Sequence, residues 1–184
     1  VVGKKQQYVF TGVILTEIGL EKESVVLDSF PVCRPVIALC PARTPGVQIL
    51  PERRVRNRRT HGLLLSARDG DAYKKVIQLF VLFHDSCRQN EAVDPGHGER
   101  GAELAIQYRS ARAFVIDDPQ MDLLVEACRH HADGSVNSDP TIGSCWDADR
   151  LDLGRVGFIP DPSYLSTPKA QESAVIEAAM KRSM

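Results

Sequence analysis

From Asp71 to Phe83, apolar residues fall at positions 73, 76, 77, 80, 81 and 83. A stripe that broad suits a helix buried on most of its sides. Helical signals continue after it. Glu99 to Tyr108 (ERGAELAIQY) reads as a second helix. Asp118-Pro119 reads as an N-cap followed by Pro at the first helical position, opening a helix through Leu123, Leu124 and Ala127 to His131. Asp139-Pro140 repeats the device before Ile142 to Leu153, and Thr167-Pro168 repeats it before a terminal helix from Lys169 to Lys181. The expected fold is mainly α, with about five or six helices in one domain over residues 56–184.

Residues 1–55 have a different texture, rich in Val, Ile and Pro and nearly free of helical periodicity. Tyr8 to Leu15, Val25 to Phe30 and Pro35 to Leu39 read as short strands, and prolines at 31, 35, 41, 45 and 51 punctuate them. No chemistry is legible in this N-terminal segment. At the junction, RRVRNRR places five arginines between Arg53 and Arg59. We read it as a solvated linker; the alternative is an electrostatic patch for a phosphate-bearing partner.

Lys plus Arg is 23 and Asp plus Glu is 24, and this balance argues against a dedicated nucleic-acid binder, whose phosphate contacts need a basic excess. The five cysteines, at 33, 40, 87, 128 and 145, show no CxxC spacing, which fits reduced thiols in a cytoplasmic protein. The start, VVGKKQQYVF, lacks the apolar run of a signal peptide, and the apolar stretch Val76 to Phe83 is too short to cross a membrane.

All five histidines, at 61, 84, 97, 130 and 131, lie in the helical region. His84-Asp85 ends the most hydrophobic helix. A charge buried there needs a counter-charge, and an adjacent imidazole and carboxylate can both reach one divalent cation. Asp147 and Asp149 in CWDADRLDL are two apart and point to different helix faces, so only one is expected to face that ion.

The order His, His-Asp, His, His, Asp is carried here by THG (His61), LFHDS (His84, Asp85), DPGHGERGA (His97), ACRHHADG (His131) and CWDADRLDL (Asp149). It resembles the HD superfamily of metal-dependent phosphohydrolases, over roughly residues 60–168. A bacterial HD-like branch carries phrases similar to HDSCRQN, DPTIGSCWDADRLDLGRVG and YLST. The resemblance implies metal ligands His61, His84, Asp85 and Asp149, with Asp147 as runner-up for the last. It further implies that His97 and His131 hold a second ion bridged to the first by Asp85. His131 fits this pattern better than His130, which reads as an outer or exposed side chain. The branch departs from this chain at one point: it reads His-Gly, two residues, then a second His followed by Trp. Leu65 stands where that second His would be, so either His61 takes the role or the site has lost a ligand.

The resemblance implies hydrolysis of a small-molecule phosphate ester, such as a nucleotide, by metal-activated water. A nitrogen and oxygen ligand set suits one or two ions of Mn, Fe, Mg or Zn. Asp85 would be central to catalysis, and Arg88 and Arg150 would orient the phosphoryl group, with Asn90 and Arg100 nearby; the equal alternative for Arg150 is to neutralise Asp147 or Asp152. Trp146 and Tyr164 either stack on a base or pack in the core. The rivals are a catalytically degenerate HD scaffold with a regulatory role and, less favoured, a Cys-dependent enzyme using Cys87 or Cys128.

Overall fold

The computed structural model describes residues 52–66, 73–90 and 93–183, which form six α-helices and no strand. The strands expected between residues 8 and 39 lie outside the described residues. The helices are α1 (Glu52–Ser66), α2 (Lys74–Phe83), α3 (His97–Ser110), α4 (Asp118–His130), α5 (Pro140–Arg150) and α6 (Ser173–Ser183). Two 3₁₀ turns, Leu153–Val156 and Pro162–Tyr164, separate the last two. The described residues are thus mainly helical, as expected.

Helix α2 is the hub, in contact with α1, α3, α4 and α5. Its Val76, Ile77, Leu79, Phe80, Val81 and Phe83 are all buried, which is why its apolar face runs most of the way round. They form the main core with Leu104, Phe114, Met121, Leu124, Ile142 and Trp146. A smaller core joins Leu65 of α1, Leu151, Leu165 and the α6 residues Ile176 and Ala179.

The caps follow the Asp-Pro signals with small shifts. Asp139 caps α5 by accepting from the amides of Thr141 (2.8 Å) and Ile142 (3.0 Å), with Pro140 opening the helix. For α4 the cap is Asp117, one residue earlier than expected, because Gln120 closes a reciprocal capping box with it. The last helix starts at Ser173 rather than Lys169. The Thr167 hydroxyl donates to Asp147 and accepts from the Ala170 amide, and the amides of Ala170 and Gln171 also bond the Thr167 carbonyl, closing a turn ahead of the helix.

The linker reading of the arginine run does not hold. Residues 53–59 lie inside α1, so the boundary placed after residue 55 falls within a helix. Arginine is a good helix former, and the segment contains no Gly or Pro before Gly62. What the run lacks is apolar periodicity, because its contacts with the domain are largely ionic.

Candidate metal centre

Three helices and one turn bring the acidic and imidazole groups together. Helix α2 ends at Phe83, and the chain turns at once, with the Ser86 amide bonding the Phe83 carbonyl and the Ser86 hydroxyl bonding the Leu82 and Phe83 carbonyls. Helix α3 crosses this turn at Gly101, where an added methyl carbon would sit 2.5 Å from the Phe83 carbonyl oxygen and 3.0 Å from that of His84. Gly98 meets the Cys128 carbonyl oxygen just as closely, so α4 also packs tightly on α3. Two glycines one turn apart therefore hold His97, His131 and the His84-Asp85 pair within reach of one another.

His84 (0% exposed), Asp85 (2%), His97 (4%) and His131 (5%) are all buried. Each imidazole is aimed by the same device. Nδ1 of His84 donates to the Phe80 carbonyl (2.7 Å), that of His131 to the Cys128 carbonyl (2.7 Å), and that of His97 to the Asp94 carbonyl. A carbonyl only accepts, so Nδ1 carries a proton and Nε2 turns inward, offering a lone pair in the neutral ring. His97 is pushed towards this neutral form by burial, which lowers its pKa.

Two ligand sets result. Asp85, His97 and His131 form one, and His84, His131 and Asp149 the other. In the first, the two Nε2 atoms lie 2.9 Å apart, and Asp85 Oδ1 is 3.4 Å from His97 and 3.7 Å from His131. Two nitrogens facing at that distance repel unless a proton or a metal cation lies between them. Bonds of about 2.1 Å to a tetrahedral or octahedral ion separate the ligand atoms by about 3.0–3.4 Å, close to the spacing here. These buried groups could hold a metal ion.

The second set already faces a cation. Arg58, only 1% exposed, places Nη1 2.5 Å from His84 Nε2 and 3.0 Å from Asp85 Oδ2. Its Nη2 lies 2.6 Å from Asp149 Oδ1, and its Nε 3.4 Å from Asp152 Oδ2. Burial would lower the Arg58 pKa, but Asp149, Asp85 and Asp152 outweigh it, so the guanidinium stays charged. Burial likewise opposes ionisation of Asp85; His84, His131 and Arg58 overcome it and hold this carboxyl well below the usual carboxylate range. Arg54, one turn before Arg58, reaches Asp85 Oδ2 at 3.2 Å, and Arg88 reaches Oδ1 at 3.4 Å.

Of the residues singled out in the sequence, the fold brings His84, Asp85, Arg88, His97, His131 and Asp149 together. His61 and Arg150 stand elsewhere. His61 is buried beyond Arg58 on α1 and accepts from Arg182 Nε at 3.1 Å. Arg150 donates to the Tyr164 carbonyl and lies over the Trp146 ring, 5.6 Å from its centroid. Asp147 faces away from the cluster, accepting from Ser166, Thr167 and the Thr167 hydroxyl. Leu65 lies in the smaller core. Arg100 braces the segment between Asp85 and His97 through Asp94 and the Cys87 carbonyl, and the Asn90 amide bonds Val93. His130 is exposed against Asp133, and Trp146 is core, its Nε1 donating to Ala127. Arg54, Arg58 and Asp152 were missed. The i, i+4 spacing of the two arginines places them on one helix face, but it does not set Arg58 apart from the other arginines of the run.

Burial first, then Arg182, pushes the His61 pKa down to about 4. In the unfolded chain it returns to about 6.5. Between those values the unfolded state binds the extra proton. The neutral His61 therefore stabilises the fold fully above about pH 6.5, and this contribution is lost as pH falls towards 4. Urea melts at pH 7 and 4.5 should show wild type losing about 2–3 kcal/mol more than His61→Asn. Equal losses would mean that the imidazole titrates normally.

The chain matches no protein-family model, no curated protein and no solved structure. Among the described residues, no helix is long and apolar enough to cross a membrane.

Proposed function

We propose that this chain is a cytoplasmic, metal-dependent phosphohydrolase of the HD type acting on a nucleotide or another small phosphate ester. The observation that supports it best is the pair of inward Nε2 atoms of His97 and His131, 2.9 Å apart beside the Asp85 carboxylate. Two imidazoles and a carboxylate without thiolate suit Mn, Fe, Mg or Zn, and a bound ion supplies Lewis acidity and a water acidified towards neutral pH. Asp85, His97 and His131 would hold the ion. Arg54 and Arg88, whose side chains are 17% and 23% exposed beside Asp85, present guanidinium groups at the rim, where they would bind and orient phosphoryl oxygens. The cysteines do not favour a thiol mechanism. Burial raises the pKa of Cys87, Cys128 and Cys145 alike, which keeps the thiols neutral.

A regulatory HD scaffold is the second reading, favoured by the turn of His61 away from the cluster and by Arg58 among the acidic groups. Elemental analysis of the purified chain, followed by a nucleotide and phosphoester panel with Mn²⁺, separates the two. Bound metal with phosphate release supports the enzyme, bound metal without release supports the regulator, and a metal-free protein that takes up no Mn²⁺ defeats both.

A further inference from the structure

We propose that the Arg58 guanidinium is the resident cation of the His84–Asp149 half of this cluster, so that the chain binds one metal ion, at Asp85, His97 and His131, and not two. The inference rests on the reading of the cluster as a metal centre.

Lone-pair accounting carries it. A neutral imidazole with its Nδ1 proton committed to a carbonyl has one lone pair to give. His131 belongs to both candidate ligand sets but can serve one ion, and its Nε2 lies 2.9 Å from that of His97. Without His131, the other half retains His84 Nε2, Asp149 Oδ1 and Asp85 Oδ2. Each of these already lies 2.5–3.0 Å from a guanidinium nitrogen of Arg58.

Charge supports the same division. Asp85, Asp149 and Asp152 all lie within 3.4 Å of Arg58 nitrogens, and Arg54 and Arg155 add further cations at Asp85 and Asp152. Those three carboxylates therefore meet these three guanidinium groups, and Arg88 adds a fourth at Asp85 Oδ1. A dication beside a buried, fully charged arginine would be repelled where the local dielectric is low. The other half differs: Asp85 Oδ1 faces the Nε2 atoms of His97 and His131, and the one arginine on that oxygen, Arg88, stands 3.4 Å off and is partly exposed. Arg58 cannot swing out cheaply, since it is buried in α1 against all three acids.

The test is ion stoichiometry in the full chain, by elemental analysis after Mn²⁺ loading and by calorimetric titration, for wild type, Arg58→Ala and Arg58→Lys. Wild type should hold one ion per chain, Arg58→Lys one, and Arg58→Ala two. Without metal, Arg58→Ala should melt lower than wild type and recover more on adding Mn²⁺. Two ions in wild type, or one in a folded Arg58→Ala, would overturn the proposal while leaving the metal centre standing. No ion in wild type would instead sink the metal reading itself. Should Arg58→Ala fail to fold even with Mn²⁺, His84→Gln decides. Retention of one ion supports the assignment, and loss of it shows that His84 is a ligand and overturns it.

Discussion

Asp85→Asn is expected to weaken Mn²⁺ binding by at least about 100-fold and to abolish phosphoester hydrolysis. Among the described residues its Oδ1 is the only carboxylate oxygen facing both His97 and His131, at 3.4 and 3.7 Å, so the substitution removes the anionic donor of that set. Even loss of an outer partner of a metal ligand commonly costs 10–100-fold in affinity, and loss of the charged ligand itself should exceed that. The same change strips Arg58 and Arg54 of a shared counter-ion at Oδ2. Breaking one side of a buried ion pair costs about 3–5 kcal/mol, so the variant should also melt well below wild type. Metal content and thermal melting are measured on the same sample. A variant that keeps its ion while losing stability would leave Asp85 as a partner of the arginines alone.

Asp147→Ala should do the reverse, with a large loss of stability and no loss of ion. Asp147 is 0% exposed and accepts from the Ser166 amide (2.7 Å), the Thr167 amide (2.8 Å) and the Thr167 hydroxyl (2.7 Å). These bonds tie the segment before α6 to α5. Removing the carboxylate orphans three buried donors, each worth about 1–3 kcal/mol. A net loss of about 3–5 kcal/mol after relaxation corresponds to a fall of roughly 10 °C or more in Tm for a domain of this size. Circular dichroism melts with a Mn²⁺ titration below the transition check both halves of the expectation. Lost metal affinity at full stability would mean that Asp147, and not its neighbour two residues on, reaches the cluster.

Those two aspartates show how far patterning reaches. Their separation by two residues on a helix predicts opposite faces, and the fold sets one against Arg58 and the other against Thr167. The apolar run before His84-Asp85 likewise marks the hub helix, because burial on most sides leaves only a narrow polar face. Asp139-Pro140 marks a helix start because a capping carboxylate and a preset φ act within four residues.

Contacts made across the chain were beyond the reach of such local rules. Arg58 is buried by Asp85, Asp149 and Asp152, at sequence separations of 27 residues and more, and nothing in RRVRNRR distinguishes it from the arginines beside it. A charge run with no apolar stripe looks like a solvated linker until its counter-charges are known. His61 was misjudged for a related reason. Three residues of helix carry it about 4.5 Å along the axis beyond Arg58, to a place where Arg182 and not Asp85 is its neighbour. The sequence by itself therefore determined the helical class, the start of α5 and, to within a residue, that of α4, and the His and Asp types that could hold a cation, since periodicity, caps and ligand chemistry are short-range properties. Only the tertiary structure decided which cation meets which carboxylate, because a buried charge is stabilised by whichever opposite charge the packing of distant helices brings within about 3 Å.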